Sequence, residues 1–133
     1  MAEILNSIMP FAGSFVPKGY EYYGEEGLKV QNGYGEDMRY IIKKHSTSEE
    51  NTPLMGQIML FIAGYVPRGW HVCDGSLLNI NDYSILFATI SANYGGDGMH
   101  TFGLPKIPSI KTGSGELNYI ICMEGAFPSR ARH

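Results

Sequence analysis

The chain repeats itself, and that repeat limits its folds more than any other feature. Ser7-Ile-Met-Pro-Phe-Ala-Gly-Ser-Phe-Val-Pro-Lys-Gly-Tyr20 aligns with Gln57-Ile-Met-Leu-Phe-Ile-Ala-Gly-Tyr-Val-Pro-Arg-Gly-Trp70 through Ile-Met-x-Phe and aromatic-Val-Pro-basic-Gly-aromatic. The match runs on without a gap, with Tyr20-Glu-Tyr-Tyr-Gly24 answering Trp70-His-Val-Cys-Asp74 and Leu28-Lys-Val30 answering Leu78-Asn-Ile80. A second element repeats at Tyr-Ile-Ile, in Gly35-Glu-Asp-Met-Arg-Tyr-Ile-Ile-Lys-Lys44 and in Gly113-Ser-Gly-Glu-Leu-Asn-Tyr-Ile-Ile-Cys122. Each half is therefore expected to end in a strand.

Local chemistry favours short strands and tight connections. Pro17 and Pro67 lack an amide donor and belong at a bend that begins or flanks a strand, with Gly19 and Gly69 giving backbone freedom beside them. Asp74-Gly75 is a favoured two-residue turn, and Gly24 and Gly27 bracket the equivalent place, so both copies read as hairpins. Seventeen Gly and seven Pro in 133 residues fit the same picture. The expected class is α+β, predominantly β, with one short helix.

The two copies differ in the middle, where the second carries an insertion at 81–112 against Gln31 to Tyr34 in the first. Inside it Tyr83, Leu86, Phe87 and Ile90 fall at i, i+3, i+4 and i+7, behind the capping residues Asn81 and Asp82, which predicts a helix of about two to three turns. Tyr94-Gly-Gly-Asp-Gly98 ends it, and Thr101-Phe-Gly-Leu-Pro-Lys-Ile-Pro-Ser109 reads as an extended segment whose prolines keep it out of a sheet centre. The expected division is a repeat at 1–50 and a module at 51–133 that together form one compact unit, with the polar stretch Ser46 to Asn51 as linker.

Composition narrows the function. A net charge of -3 leaves no basic surface for a phosphate backbone, so no nucleic-acid polymer is expected as partner. No apolar run approaches the roughly 20 residues of a membrane helix, and the start lacks a basic segment followed by an apolar one. The expectation is a soluble chain without signal peptide or membrane contact. Cys73 and Cys122 are read as two buried free thiols, with a disulfide as the alternative.

Chemistry-bearing patterns are sparse. His71 and Cys73 lie two apart and share a strand face, but a structural zinc site needs four ligands and no others are near in sequence, so no metal or cofactor is expected. Tyr94-Gly-Gly-Asp-Gly98 reads either as an anion nest or, preferably, as a tight loop. No Gly-x-Ser-x-Gly elbow occurs, and the Glu25-Glu26 and Glu49-Glu50 pairs read as solvated loop residues, so no enzyme is expected. Tyr20, Tyr22, Tyr23, Tyr34, Tyr40 and Tyr65 are candidate stacking platforms, with core as the default for most. Cys73, Trp70, Phe87 and Tyr119 are assigned to the core. For ligand or partner contact the candidates are Arg68, His71, Asp97, Met99, His100 and Lys106, chosen for loop position and polarity.

The second half resembles the phage tail collar domain family, the module of tail fibre proteins and of the proteins called microcystin-dependent. The resemblance rests on Gly56-Gln-Ile, Val66-Pro-Arg-Gly-Trp70, Cys73-Asp-Gly75 with Leu78 and Ile80, the helix ending in Tyr94-Gly-Gly-Asp-Gly98, and Thr101-Phe-Gly-Leu-Pro105; Leu117 to Ser129 is similar to the usual end of such fibre proteins. The first half then resembles a degenerate collar copy. Where relatives continue Leu-Pro with Asp-Leu-Arg-Gly-Arg this chain has Lys106-Ile-Pro-Ser-Ile110, and it lacks a downstream His-x-His pair, so neither that charge pattern nor metal-centred trimerisation carries over. The resemblance implies a non-enzymatic tail collar or fibre-associated protein that forms homo-oligomers and binds a tail protein or surface glycan, located in the virion. The alternative is a free cytoplasmic phage protein that reuses the collar fold to inhibit a host defence protein or sequester a small signalling nucleotide.

Overall fold

A computed structural model describes residues 5, 7–31, 37–45, 53–62 and 65–125. The linker at Ser46 to Asn51, Tyr34 and the Gly35-Glu36 lead-in lie outside these residues. The fold is mostly antiparallel β with one short helix. In chain order the elements are β1 (Ile8–Pro10), β2 (Tyr20–Leu28), β3 (Met38–Lys43), β4 (Ile58–Phe61), β5 (Trp70–Val72), β6 (Leu77–Asn79), α1 (Ser84–Ile90), β7 (Thr101–Gly103), β8 (Ile110–Thr112) and β9 (Gly115–Cys122).

The repeat seen in the sequence is a repeat of pairing register. One sheet runs β1-β3-β2 and another β4-β9-β5, so the Tyr-Ile-Ile strand is central in each. Ile8 pairs with Ile42 and Tyr20 with Lys43; at the aligned positions Ile58 pairs with Ile121 and Trp70 with Cys122. The turns match as well. Tyr20 donates its amide to the Pro17 carbonyl and Trp70 to that of Pro67, both at 3.1 Å. Gly19 and Gly69 adopt φ of 90° and 86°, a conformation that costs a side chain about 1–2 kcal/mol. That geometry turns each glycine carbonyl toward two amides, those of Lys44 and His45 for Gly19, and those of Met123 and Glu124 for Gly69.

The expected hairpins are not formed. β5 pairs with β9 and β6 with β7, so Asp74-Gly75 is a corner between two sheets. Residues 73–76 turn there because their donors are taken up elsewhere: Gly75 donates to Pro105, and Ile107 donates back to Cys73. In the first half Gly24 and Gly27 lie inside the single strand β2, where the register with β3 shifts between Tyr23 and Gly27. The extra residues are absorbed as a bulge rather than a turn. At Gly27 a side chain would run into the Met38 carbonyl of the paired strand.

The helix also differs from its prediction. It spans Ser84–Ile90, about two turns, and Tyr83 occupies the N-cap without a side-chain hydrogen bond. Asn81 and Asp82 do not cap it; the Asn79 side chain instead accepts the Asn81 amide at 2.8 Å and holds the chain in the preceding turn. Ser91, with φ of 58°, stops the helix before Tyr94-Gly-Gly is reached.

One core cluster spans both halves, with Ala12 and Met38 packed among Met55, Ile58, Cys73, Leu86, Ile90, Tyr94, Phe102, Leu104, Ile107 and Ile121. A second joins Met9, Phe11, Tyr20 and Ile41 to Leu54. Cross-links reinforce them: Phe11 bridges Gln57, Ser14 donates its amide and hydroxyl to the Thr89 carbonyl, and Gln31 donates to Lys106. Cys73 is core as expected, whereas Trp70, Phe87 and Tyr119 are only half-buried, Phe87 and Tyr119 against the first cluster. Both cysteines are buried and free. Among the described residues no helix is long and apolar enough to cross a membrane.

Candidate functional site

The insertion between β6 and β8 places the loop residues singled out from sequence. In the turn before β7 the Asp97 carboxylate accepts the amides of Met99, His100 and Thr101 at 2.8, 2.7 and 2.9 Å. Those three bonds, led by the one from Thr101, hold its carboxyl well below the usual aspartate range. Within the candidate nest itself the Gly95 amide donates to the Ala92 carbonyl, that of Asp97 to the Thr101 hydroxyl and that of Gly98 to the Thr101 carbonyl, which is the bonding of a tight loop. His100 lies 3.6 Å from Asp97, and Met99 is 77% exposed, so Asp97, Met99 and His100 do share one surface loop.

Lys106 and His71 belong to a different place, the corner around Asp74. Lys106 pairs with Asp74 through an isolated backbone β-bridge, and its side chain covers the position a Gly75 Cβ would take. His71 donates Nδ1–H to the Val72 carbonyl at 2.7 Å, which fixes its tautomer. Partial burial pushes the Asp74 carboxyl up, but the Ser76 hydroxyl and amide, followed by the His71 charge, bring it below its ordinary value. The neighbouring Cys73 thiol is pushed up to about 12, first by burial and then by Asp74. A thiol so hard to ionise is a packing group rather than a nucleophile. Arg68 is exposed on the turn between Pro67 and Gly69. Among the described residues no three His, Cys, Asp or Glu side chains come together as a metal site.

Concave surfaces lie elsewhere, at places that local sequence reasoning did not mark. A cavity of about 280 Å³ is lined by Phe11, Gly13, Tyr22, Asp37, Met38, Arg39, Asn93 and Tyr94. Its walls come from both halves and are tied together by the Tyr94 hydroxyl, which donates to the Ala12 carbonyl at 3.1 Å. The Arg39 guanidinium lies 3.8 Å from the Tyr22 ring centroid and donates to the Gly24 carbonyl at 3.3 Å. A more open groove of about 550 Å³ runs beside the start of α1, between Tyr83, Ile85 and Leu86 on one side and Met55, Met123 and Glu124 on the other.

Two sheets with a shared register, and loops projected from an insertion in the second, define a small β scaffold. Residues 56–109, about two fifths of the chain, match the family model of the Phage Tail Collar Domain, so this stretch is similar to that domain. The residues that form β1, β2, β3, β8 and β9 lie outside the matched stretch. Comparisons with curated proteins and with solved structures give no match.

Proposed function

We propose that the chain is a non-enzymatic tail-associated structural protein of a phage, which associates with copies of itself and presents its collar loops to a tail partner or surface glycan. The match of residues 56–109 to the collar domain carries this reading. The first half is read as a degenerate collar copy, supported by its shared register with the second sheet. Self-association is supported by an apolar strip at β4 and beyond, where Met59, Leu60, Ile62, Tyr65 and Val66 are all exposed. Among the described residues β4 pairs with β9 alone, which leaves its outer edge open over Met59 to Phe61. A neighbouring copy that covers this strip removes both the apolar surface and the unpaired edge.

Light scattering on the purified protein, together with recovery of its partners from phage-producing cells, tests this reading. A symmetric oligomer that Leu60→Glu dissociates, recovered with tail proteins, is the expected result. A monomer recovered with a host protein would overturn it and favour a free inhibitor of host defence.

A further inference from the structure

We infer that the cavity between the two halves is a binding site for a compact organic anion, whose carboxylate or phosphate is held by Arg39. This site does not depend on the tail-associated reading, since most of its lining lies before the collar stretch.

The argument begins with how Arg39 is held. It stands on β3 opposite Gly27, at the end of the β2 bulge, and the backbone there carries Tyr22 and the Gly24 carbonyl to either part of its side chain. Stacking on the ring and one hydrogen bond to Gly24 fix the guanidinium while leaving most of its five N–H donors for other acceptors. Among the described residues the two ion pairs are Lys29 with Asp37 and His100 with Asp97, and among them no carboxylate pairs with Arg39. Asp37 also lines the cavity, but Lys29 stands 3.8 Å from it and offsets its charge. The local balance of Lys29, Arg39 and Asp37 is one positive charge. A planar cation held against an aromatic ring suits a two-oxygen anion, which it binds through parallel hydrogen bonds.

The remaining lining sets the body of the ligand. Phe11 and Met38 are buried and give an apolar side, Asn93 gives an amide able both to donate and to accept, and Tyr22 gives a phenol. The Tyr94 hydroxyl is already committed to Ala12, and burial pushes its pKa up, so it enters as a neutral wall. Gly13 lets the Phe11 ring lie against its backbone, because a Cβ there would run into that ring. A volume of about 280 Å³ sits at the low end for ligand sites and admits about one ring bearing one anionic group.

Titration of the full chain, followed by amide NMR, with glucuronate, glucose 6-phosphate and glucose as probes tests the inference. Saturable shifts at Arg39, Asn93 and Tyr94 with at least one of the two anions, and binding of glucose weaker by about tenfold or more, are expected. Glucuronate alone would assign the site to carboxylates, glucose 6-phosphate alone to phosphates, and both to either group. Arg39→Gln is expected to weaken the anion by about tenfold while leaving the thermal midpoint in place, and Asn93→Ala gives a second, exposed variant should the first lose its fold. Three results would each overturn the site: no saturation by either anion up to about 10 mM, glucose bound as well as the anions, or shifts confined to other parts of the surface.

Discussion

The hydroxyl of Tyr94 donates to the carbonyl of Ala12 at 3.1 Å, and this buried bond fastens the loop after the helix to the segment that follows β1. Removing the hydroxyl strands a buried carbonyl, at a cost of about 1–3 kcal/mol. Tyr94→Phe is expected to lose about that much stability in urea unfolding, with the slope of the transition unchanged. It is also expected to raise hydrogen exchange near Ala12 and Gly13.

Asp97 organises its loop through charge and not through burial. Its folded pKa is depressed, so its contribution is present above the ordinary aspartate value and is lost as pH falls through the lower folded value. The carboxyl resonance of Asp97 should therefore titrate well below that of an unstructured aspartate. Asp97→Ala should raise exchange of the Met99, His100 and Thr101 amides by about tenfold or more while leaving β9 protected.

Alkali should unfold the protein through its buried acids. Burial raises Cys73 to about 12 and also raises Cys122 and Tyr94. A group with a raised folded pKa contributes fully below its unfolded value and loses that contribution as pH climbs toward the folded one. For Cys73 this window runs from its ordinary value of 9.0 to about 12. The urea midpoint is expected to fall across this range. Cys73→Ala should cost about 1 kcal/mol at pH 7 and make the alkaline fall shallower.

Two glycines with similar φ should respond differently to a methyl group. Gly24 has φ of 70° and open space around its missing side chain, so Gly24→Ala is expected to cost only the backbone strain of about 1–2 kcal/mol. At Gly96, with φ of 85°, a Cβ would fall 2.5 Å from the Phe102 Cα and 2.6 Å from the Thr101 carbonyl oxygen. Backbone cannot step aside as a side chain can. Gly96→Ala should therefore cost clearly more than Gly24→Ala in the same denaturation assay.

What could be read from sequence was whatever depended on periodicity and composition. Tyr40-Ile-Ile and Tyr119-Ile-Ile marked both central strands because the same short β-branched run recurs in each half. Partner choice was hidden. A three-residue strand such as β5 looks the same whether it turns back on β6 or reaches β9, and the Gly24 to Gly27 spacing serves a bulge as well as a turn. The helix start moved because Asn79, outside the apolar pattern, captured the Asn81 amide. Of the six residues chosen for contact, Asp97, Met99 and His100 share a loop and Lys106 and His71 flank Asp74. None of the six lines either cavity. Arg39 escaped notice because Tyr22 meets it only through the shifted β2–β3 register, and the wall at Asn93 stands opposite only after the halves have packed.

The central position of β9 also sets a timetable for biosynthesis. β4 and β5 leave the ribosome well before the strand that must slip between them, and the helix and loops of the insertion are made in the interval. The first sheet can close once Lys43 has emerged. The second must wait with its apolar edges unsatisfied until Cys122 is free, which defers assembly of the shared core until late in translation. During that interval the nascent chain is most exposed to chaperones, to proteases and to other copies of itself.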